Sequence, residues 1–394
     1  MTTTSGRRSS RGRVRGGTLA AAVAAIASGA ALAACGSSAS SPSASAGSPS
    51  PSGSATSPPA ASSPLATSLS TAEDSWAIVP VSANPVFWEV LVRPAKSATW
   101  QLVTPPGVAD NGGLVAAGGA GSGLTVAVRP SQDLQFTPVS ATTDAGGSWS
   151  TDGPISKDVA DSPGALAVSG RQLAAVLGNG TVEASSDAGT SWRTLAKPGA
   201  IAASAAGQKC SAVHVSSVSF GLTPGQVLAA GDCGTTGPAG LFAYSAGGGW
   251  RRVSLPVSGP LVRLGDGTAL VQATDGLTAL WAGKADWTAS AGLPITNTVT
   301  ASGGLAGATA TSSAGTWVLL PGGQAATIGG PGQQWLLLPP TPAHTTVLAS
   351  GPGTSLDALA VSGSTLTVWQ LDHGSTVWAK AQTLRVPIQL GSSS

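Results

Sequence analysis

Two eight-residue stretches place a hydroxyl, a carboxylate and an indole at one shared spacing. They are "TTDAGGSW" (Thr142 to Trp149) and, 43 residues later, "SSDAGTSW" (Ser185 to Trp192). An aspartate beside hydroxyls is chemically suited to general acid–base work. The same groups also suit a turn. Asp144 and Asp187 can accept backbone N–H bonds across their own loop, with Thr142 and Ser185 adding another. Gly146 and Gly189 can adopt positive φ, and Trp149 and Trp192 each begin the next strand with a large apolar face. A single copy would leave both readings open. Recurrence at fixed spacing favours the structural one.

The rest of the chemical inventory is thin. His214, His344 and His373 are far apart with no ligand spacing, so no metal site is expected. The Gly-Ala-Gly-Ser-Gly run at 119–123 is not a nucleophile elbow, and no phosphate-binding loop is present. Asp110, Asp133, Asp158, Asp161, Asp232, Asp266, Asp275, Asp357 and Asp372 stand outside the two full repeats, and no spacing singles out a pair of them. Asp266-Gly267 and Asp275-Gly276 read as hairpin turns. No catalytic residue and no cofactor is assigned.

The elements that must position these residues are strands. From residue 71 onward there are short alternating or β-branched runs, each closed by Gly, Asn, Asp or Pro, such as "SWAIVPV", "VFWEVLV", "LTVAVRP" and "TLTVWQL". Points similar to the Trp of the repeat occur at Trp100, Trp149, Trp192, Trp250, Trp287, Trp335 and Trp378, separated by 49, 43, 58, 37, 48 and 43 residues. That period matches one four-stranded propeller blade. The expected fold is all-β, a seven-bladed propeller of four-stranded antiparallel blades over 71–394. The other five tryptophans, Trp76, Trp88, Trp281, Trp317 and Trp369, lie in strand-like runs. They read either as packing between blades or as a stacking platform for sugar rings.

The repeated unit resembles the Asp-box, or BNR, repeat, Ser/Thr-x-Asp-x-Gly-x-x-Trp. Two copies match fully. The copy ending at Trp250 has Ser245 in place of Asp, and the copy ending at Trp335 has Gly330 there. In this propeller superfamily, which includes sialidases and photosystem assembly factors, the resemblance implies that Asp144 and Asp187 lie on outer turns, away from any active site. A sialidase would require three arginines on a carboxylate, a Tyr with a Glu partner, and an acid/base. This chain has one tyrosine, Tyr244, and three glutamates, Glu73, Glu89 and Glu183. The resemblance therefore implies a propeller without the sialidase machinery. A glycoside hydrolase using another Asp pair stands as the alternative.

The N-terminus is an address. Arg7, Arg8, Arg11, Arg13 and Arg15 precede an apolar run from Thr18 to Ala34, the pattern of an export signal over residues 1–34. The run ends in Leu32-Ala33-Ala34-Cys35-Gly36, which resembles the bacterial lipobox and implies a lipid on Cys35. Residues 35–70, Ser-, Pro- and Ala-rich and uncharged, cannot bury enough surface to offset their ordering entropy and are expected to be a tether. The chain has 19 Lys plus Arg and 17 Asp plus Glu, and removing the five signal arginines leaves a mature net charge of −3. That balance argues against nucleic acid as a partner. In an exported protein, Cys210 and Cys233 are expected to pair. Such a bridge contributes on the order of 3 kcal/mol in the loop-entropy account. The expected protein is an exported monomer, anchored by lipid to the outer face of the cytoplasmic membrane, that binds an envelope protein or glycan.

Overall fold

The computed structural model describes residues 67–386 except 72, 82–87, 106–113, 129–136, 151–157, 161–163, 202–212, 234–237, 266, 284–285, 295–308, 313–314 and 321. The described chain is a ring of seven antiparallel blades, a β-propeller, as the Trp spacing anticipates.

Blade 1 consists of β1 (Thr67–Ser70), β2 (Asp74–Pro80), β3 (Trp88–Pro94) and β4 (Gln101–Leu102). Blade 2 has β5 (Leu114–Ala120), β6 (Gly123–Val128) and β7 (Val139–Thr142). Its fourth position is held by Ser150, which exchanges both backbone bonds with Ala141, at 2.8 and 2.7 Å. Blade 3 has β8 (Leu166–Ser169), β9 (Gln172–Val176), β10 (Val182–Ser185) and β11 (Arg193–Ala196), and blade 4 has β12 (His214–Phe220), β13 (Val227–Asp232), β14 (Pro238–Ser245) and β15 (Gly249–Arg252). Blade 5 has β16 (Leu261–Gly265), β17 (Thr268–Ala273), β18 (Gly276–Ala282) and β19 (Trp287–Ala289), and blade 6 has β20 (Thr309–Ser312), β21 (Gly315–Leu320), β22 (Gln324–Ile328) and β23 (Leu336–Leu337). Blade 7 has β24 (Thr345–Ser350), β25 (Leu356–Ser362), β26 (Thr365–Leu371) and β27 (Ala379–Arg385). Within each blade the strands pair in chain order.

The ring begins at Thr67 rather than at residue 71. β1 is "TSLS", whose composition is indistinguishable from the preceding Ser-rich segment, so only its pairing with β2 reveals it (Thr67 opposite Ile78, Ser70 opposite Ser75).

Apolar burial is organised by seams. One cluster joins blades 2, 3 and 4, another joins blades 6, 7 and 1, and smaller ones lie between blades 1 and 2, 4 and 5, and 5 and 6. Second strands are covered on both faces, so β2 reads as a nearly continuous apolar run with every residue but the last buried. Among the described residues, blades 1 and 7 are each built from strands consecutive in the chain, and no strand from one terminus completes the blade of the other. The described hydrogen bonds that cross this closure each involve a side chain.

Strand direction sorts the connections into two ends. The first-to-second and third-to-fourth connections emerge at one end and are short, the longest being 143–149, 186–192, 329–335 and 372–378. The second-to-third and blade-to-blade connections emerge at the other end. They include 103–113, 151–165, 197–213 and 290–308. One end is therefore a rim of tight turns, and the other carries the long loops.

Candidate functional site

Both full repeats form the third-to-fourth connections of their blades, at the tight-turn end. Thr142 Oγ1 donates to Asp144 Oδ1 at 2.7 Å and accepts from Gly146 N at 3.0 Å. Asp144 Oδ1 also accepts from Ser148 N at 2.9 Å, and its Oδ2 accepts from the Ser148 hydroxyl at 2.7 Å. Blade 3 repeats the pattern. Ser185 Oγ donates to Asp187 Oδ1 at 2.7 Å and accepts from Gly189 N at 2.8 Å, while Ser191 bonds Asp187 through its N (2.9 Å) and Oγ (2.6 Å). Bonds from Ser148 and Ser191 hold both carboxyls down at a pKa of about 2. A carboxylate so engaged by its own turn is poorly suited to proton transfer.

The glycines behave as expected. Gly146 and Gly189 sit at φ 83° and 88°. A Cβ on Gly146 would lie 2.5 Å from Val103 Cβ, so this turn also needs the missing side chain to seat against blade 1. The residue before each glycine is left-handed too, Ala145 at 55° and Ala188 at 60°. Their amides donate to Ser122 O (3.0 Å) and Arg171 O (2.8 Å), tying each clasp to the neighbouring turn of its own blade. In blade 4, where Ser245 replaces Asp, the clasp shrinks to a hairpin with Gly248 N on Ser245 O at 3.1 Å.

All seven anchor tryptophans stand at the start of a fourth strand, and four reach the preceding blade. The indole N–H of Trp149 donates to Val103 O (2.8 Å), that of Trp250 to Leu195 O (2.9 Å) and that of Trp378 to Pro339 O (3.3 Å). Trp100 reaches back across the ring closure, and there its acceptor is a side chain, Asp357 Oδ2 at 2.8 Å. Trp192 instead bonds Gly189 O in its own clasp. Of the other five tryptophans, Trp76, Trp88 and Trp317 are buried in seams, while Trp281 and Trp369 are half-buried against them.

Sequence reasoning missed a polar cluster at the closure. Asp357, on β25, sits 3.7 Å from Arg93 Nε of β3, with both side chains buried. Arg93 also donates to Ser75 Oγ (3.0 Å) and Ser350 O (2.7 Å) and lies 5.7 Å over the Trp100 ring. Gln382 bridges β27 to the Trp100 backbone through both amide atoms, at 2.8 and 2.9 Å. Burial pushes the Asp357 carboxyl up to about 6, against the opposing pull of Trp100 and Arg93. Arg93 is shifted down and Asp74 up, each chiefly by desolvation.

A second missed residue lies inside the ring. Arg263, on the inner strand β16, crosses to the inner strand of blade 1, donating to Thr67 Oγ1 (2.8 Å) and Ser68 O (3.1 Å). Desolvation lowers its pKa to about 10. The only available sequence signal was a lone arginine in a strand-like run.

Cys233 follows β13 and packs against the seam of blades 3 and 4, whereas Cys35 and Cys210 lie outside the described residues. Among the described residues, no three His, Cys, Asp or Glu side chains are grouped to hold a metal, and no helix is long and apolar enough to cross a membrane.

No family model and no curated protein matches the chain. Several solved structures are similar to it at low identity. YCF48 from Cyanidioschyzon merolae is 16% identical over 76% of this chain and 89% of that one, with a TM-score of 0.40. A protein from Lactobacillus plantarum is 14% identical over 80% and 97%, with a TM-score of 0.43. The fucose-specific lectin from Aleuria aurantia is 13% identical over 82% and 96%, with a TM-score of 0.39. At these identities and scores the likeness carries no argument about this chain.

Proposed function

We propose that the chain is an exported, lipid-anchored propeller that binds a protein or glycan at the cell envelope without catalysing a reaction. The observation that carries this reading is the division of labour between the two ends. The conspicuous carboxylates of the repeats are spent on turn geometry at the tight-turn end, while the long connections gather at the other. Variable loops on a rigid ring are the usual material of a binding surface. In this reading the repeats are Asp-boxes, Cys35 carries the lipid, and residues 35–66 are the tether.

A Cys210–Cys233 disulfide belongs to the same reading. An even pair of cysteines in an oxidising compartment is the support for it.

Two experiments test the proposal. Cys35→Ala is expected to release the protein from membranes and change its mature mass, and unchanged size and membrane association would defeat the anchor. The purified chain is expected to turn over no polysaccharide or chromogenic glycoside. Turnover abolished by one Asp→Asn change would install the hydrolase reading instead.

A further inference from the structure

Seven inner strands surround the central channel of the ring. They read "TSLS", "LVAAGGA", "LAVS", "HVSSVSF", "LVRLG", "TATS" and "TTVLAS" in blade order. These described strands contain no acid. Their one arginine is Arg263 of β16, and their one other titratable residue is His214 of β12. His214 stands opposite Asp232 of its own blade. Arg263 stands opposite Leu270. Its two hydrogen bonds end on neutral oxygens, Thr67 Oγ1 at 2.8 Å and Ser68 O at 3.1 Å. Among the described residues no carboxylate pairs with it.

A strap across the ring explains those two bonds but not the charge. Neutral N–H donors could serve a hydroxyl and a carbonyl equally well. A cation held out of bulk water is costly unless an anion offsets it. The Arg263 side chain keeps some contact with solvent. The surrounding strands nevertheless strip its charge of hydration, and its pKa falls to about 10. A guanidinium carries five N–H donors in a fixed fork, so the two bonds leave part of the fork unused. Thr67 begins β1 at the long-loop end, and the fork therefore lies toward that end of the channel.

From this arrangement we infer that the central channel binds a carboxylate on the Arg263 fork. Guanidinium and carboxylate are both planar and pair through two parallel hydrogen bonds. The inner strands, rich in Ser, Thr, Gly and Ala, bring no acid to compete for the fork. The inference rests on the binding reading above and names the chemical group that a ligand at the long-loop end presents. Its failure is distinct from the failure of that reading, because a small acid is titrated into the purified full chain and requires neither the anchor nor any other partner.

The probes are acetate and glucuronate, titrated calorimetrically at constant ionic strength set with chloride. The full chain is expected to bind them saturably in the presence of that chloride. Equal affinity assigns the site to a free carboxylate ion, and tighter binding of glucuronate assigns it to a carboxylate borne on a sugar. Arg263→Gln keeps N–H donors for Thr67 and Ser68 but removes the charge, and is expected to weaken binding about tenfold or more, as loss of a charged hydrogen bond does. Arg263→Lys keeps the charge without the fork and is expected to fall between the two, which preserves the test should the glutamine variant not fold. Lys380→Gln, exposed on β27, removes the same charge outside the channel and is expected to change nothing. Absence of binding to the full chain, equal binding by Arg263→Gln, or equal loss in Lys380→Gln would each overturn the assignment.

Discussion

Trp100 of the first blade donates its indole N–H to the Asp357 carboxylate of the last blade at 2.8 Å. Elsewhere the same tryptophan position finds a backbone carbonyl of the preceding blade, as Trp149 does on Val103. At the closure the acceptor is a buried acid, and that acid also faces Arg93. Among the described residues no strand is shared between the termini, and this contact, the Arg93 bond to Ser350 O and the Gln382 bridge are polar ties of the seam. Truncating Asp357 strands both a buried N–H and a buried guanidinium. Asp357→Ala is expected to cost about 3–5 kcal/mol in denaturant unfolding, the usual penalty for breaking a buried pair from one side. Asp357→Asn retains an acceptor for Trp100 and is expected to cost less than half of that.

The titration of Asp357 sets the direction of the pH dependence. Its folded pKa, about 6, lies above the ordinary carboxylate value, so the folded chain binds the proton more tightly than the unfolded one. The stability it contributes is full below about pH 4 and is lost as pH rises through 6. Asp74 and Glu89 are shifted the same way by burial. Asp144 and Asp187, at about 2, act oppositely, and their contribution is lost as pH falls from about 4 through 2. Melting temperature is therefore expected to peak near pH 4–5 and to fall on both sides. Asp357→Asn should flatten the limb between pH 4 and 6, and Asp144→Asn with Asp187→Asn the limb below 4.

The clasps separate a favourable carboxylate from an unfavourable backbone. Asp144→Ala removes every bond that the carboxylate accepts and is expected to lower the melting temperature by a few degrees without altering ligand capture. Ala145 holds a left-handed φ of 55°, a region that costs an L-residue about 1–2 kcal/mol. Ala145→Gly is expected to raise the melting temperature, because relief of that strain exceeds the added unfolded-state entropy.

Much of this was legible in the sequence because it repeats. Seven tryptophans at blade spacing fixed the blade count, and two intact clasps identified the turns. The strand β1 was hidden because Ser and Thr dominate both it and the segment before it. The Arg93–Asp357–Trp100 closure was hidden for another reason. Trp100 and Asp357 lie 257 residues apart along the chain, and only closing the ring brings them together. Arg263 was missed likewise, since its partners Thr67 and Ser68 belong to the opposite side of the ring.

The anchor tryptophans provide an internal comparison. Trp149 and Trp335 are both half-buried at the same blade position, but the Trp335 indole nitrogen has no acceptor among the described residues. Trp149→Phe is expected to cost about 1 kcal/mol more than Trp335→Phe in urea unfolding, the worth of one hydrogen bond.

The central claim, a binding propeller whose long-loop end meets its partner, is tested most directly by site-specific photo-crosslinking in the native membrane. Probes replace exposed Asn179, Asp275 and Gly363 at the long-loop end, and exposed Ser148, Ser191 and Gly248 at the tight-turn end. The account predicts a discrete adduct of one mass from the first set and none from the second. Adducts from neither set, or equally from both, would contradict it.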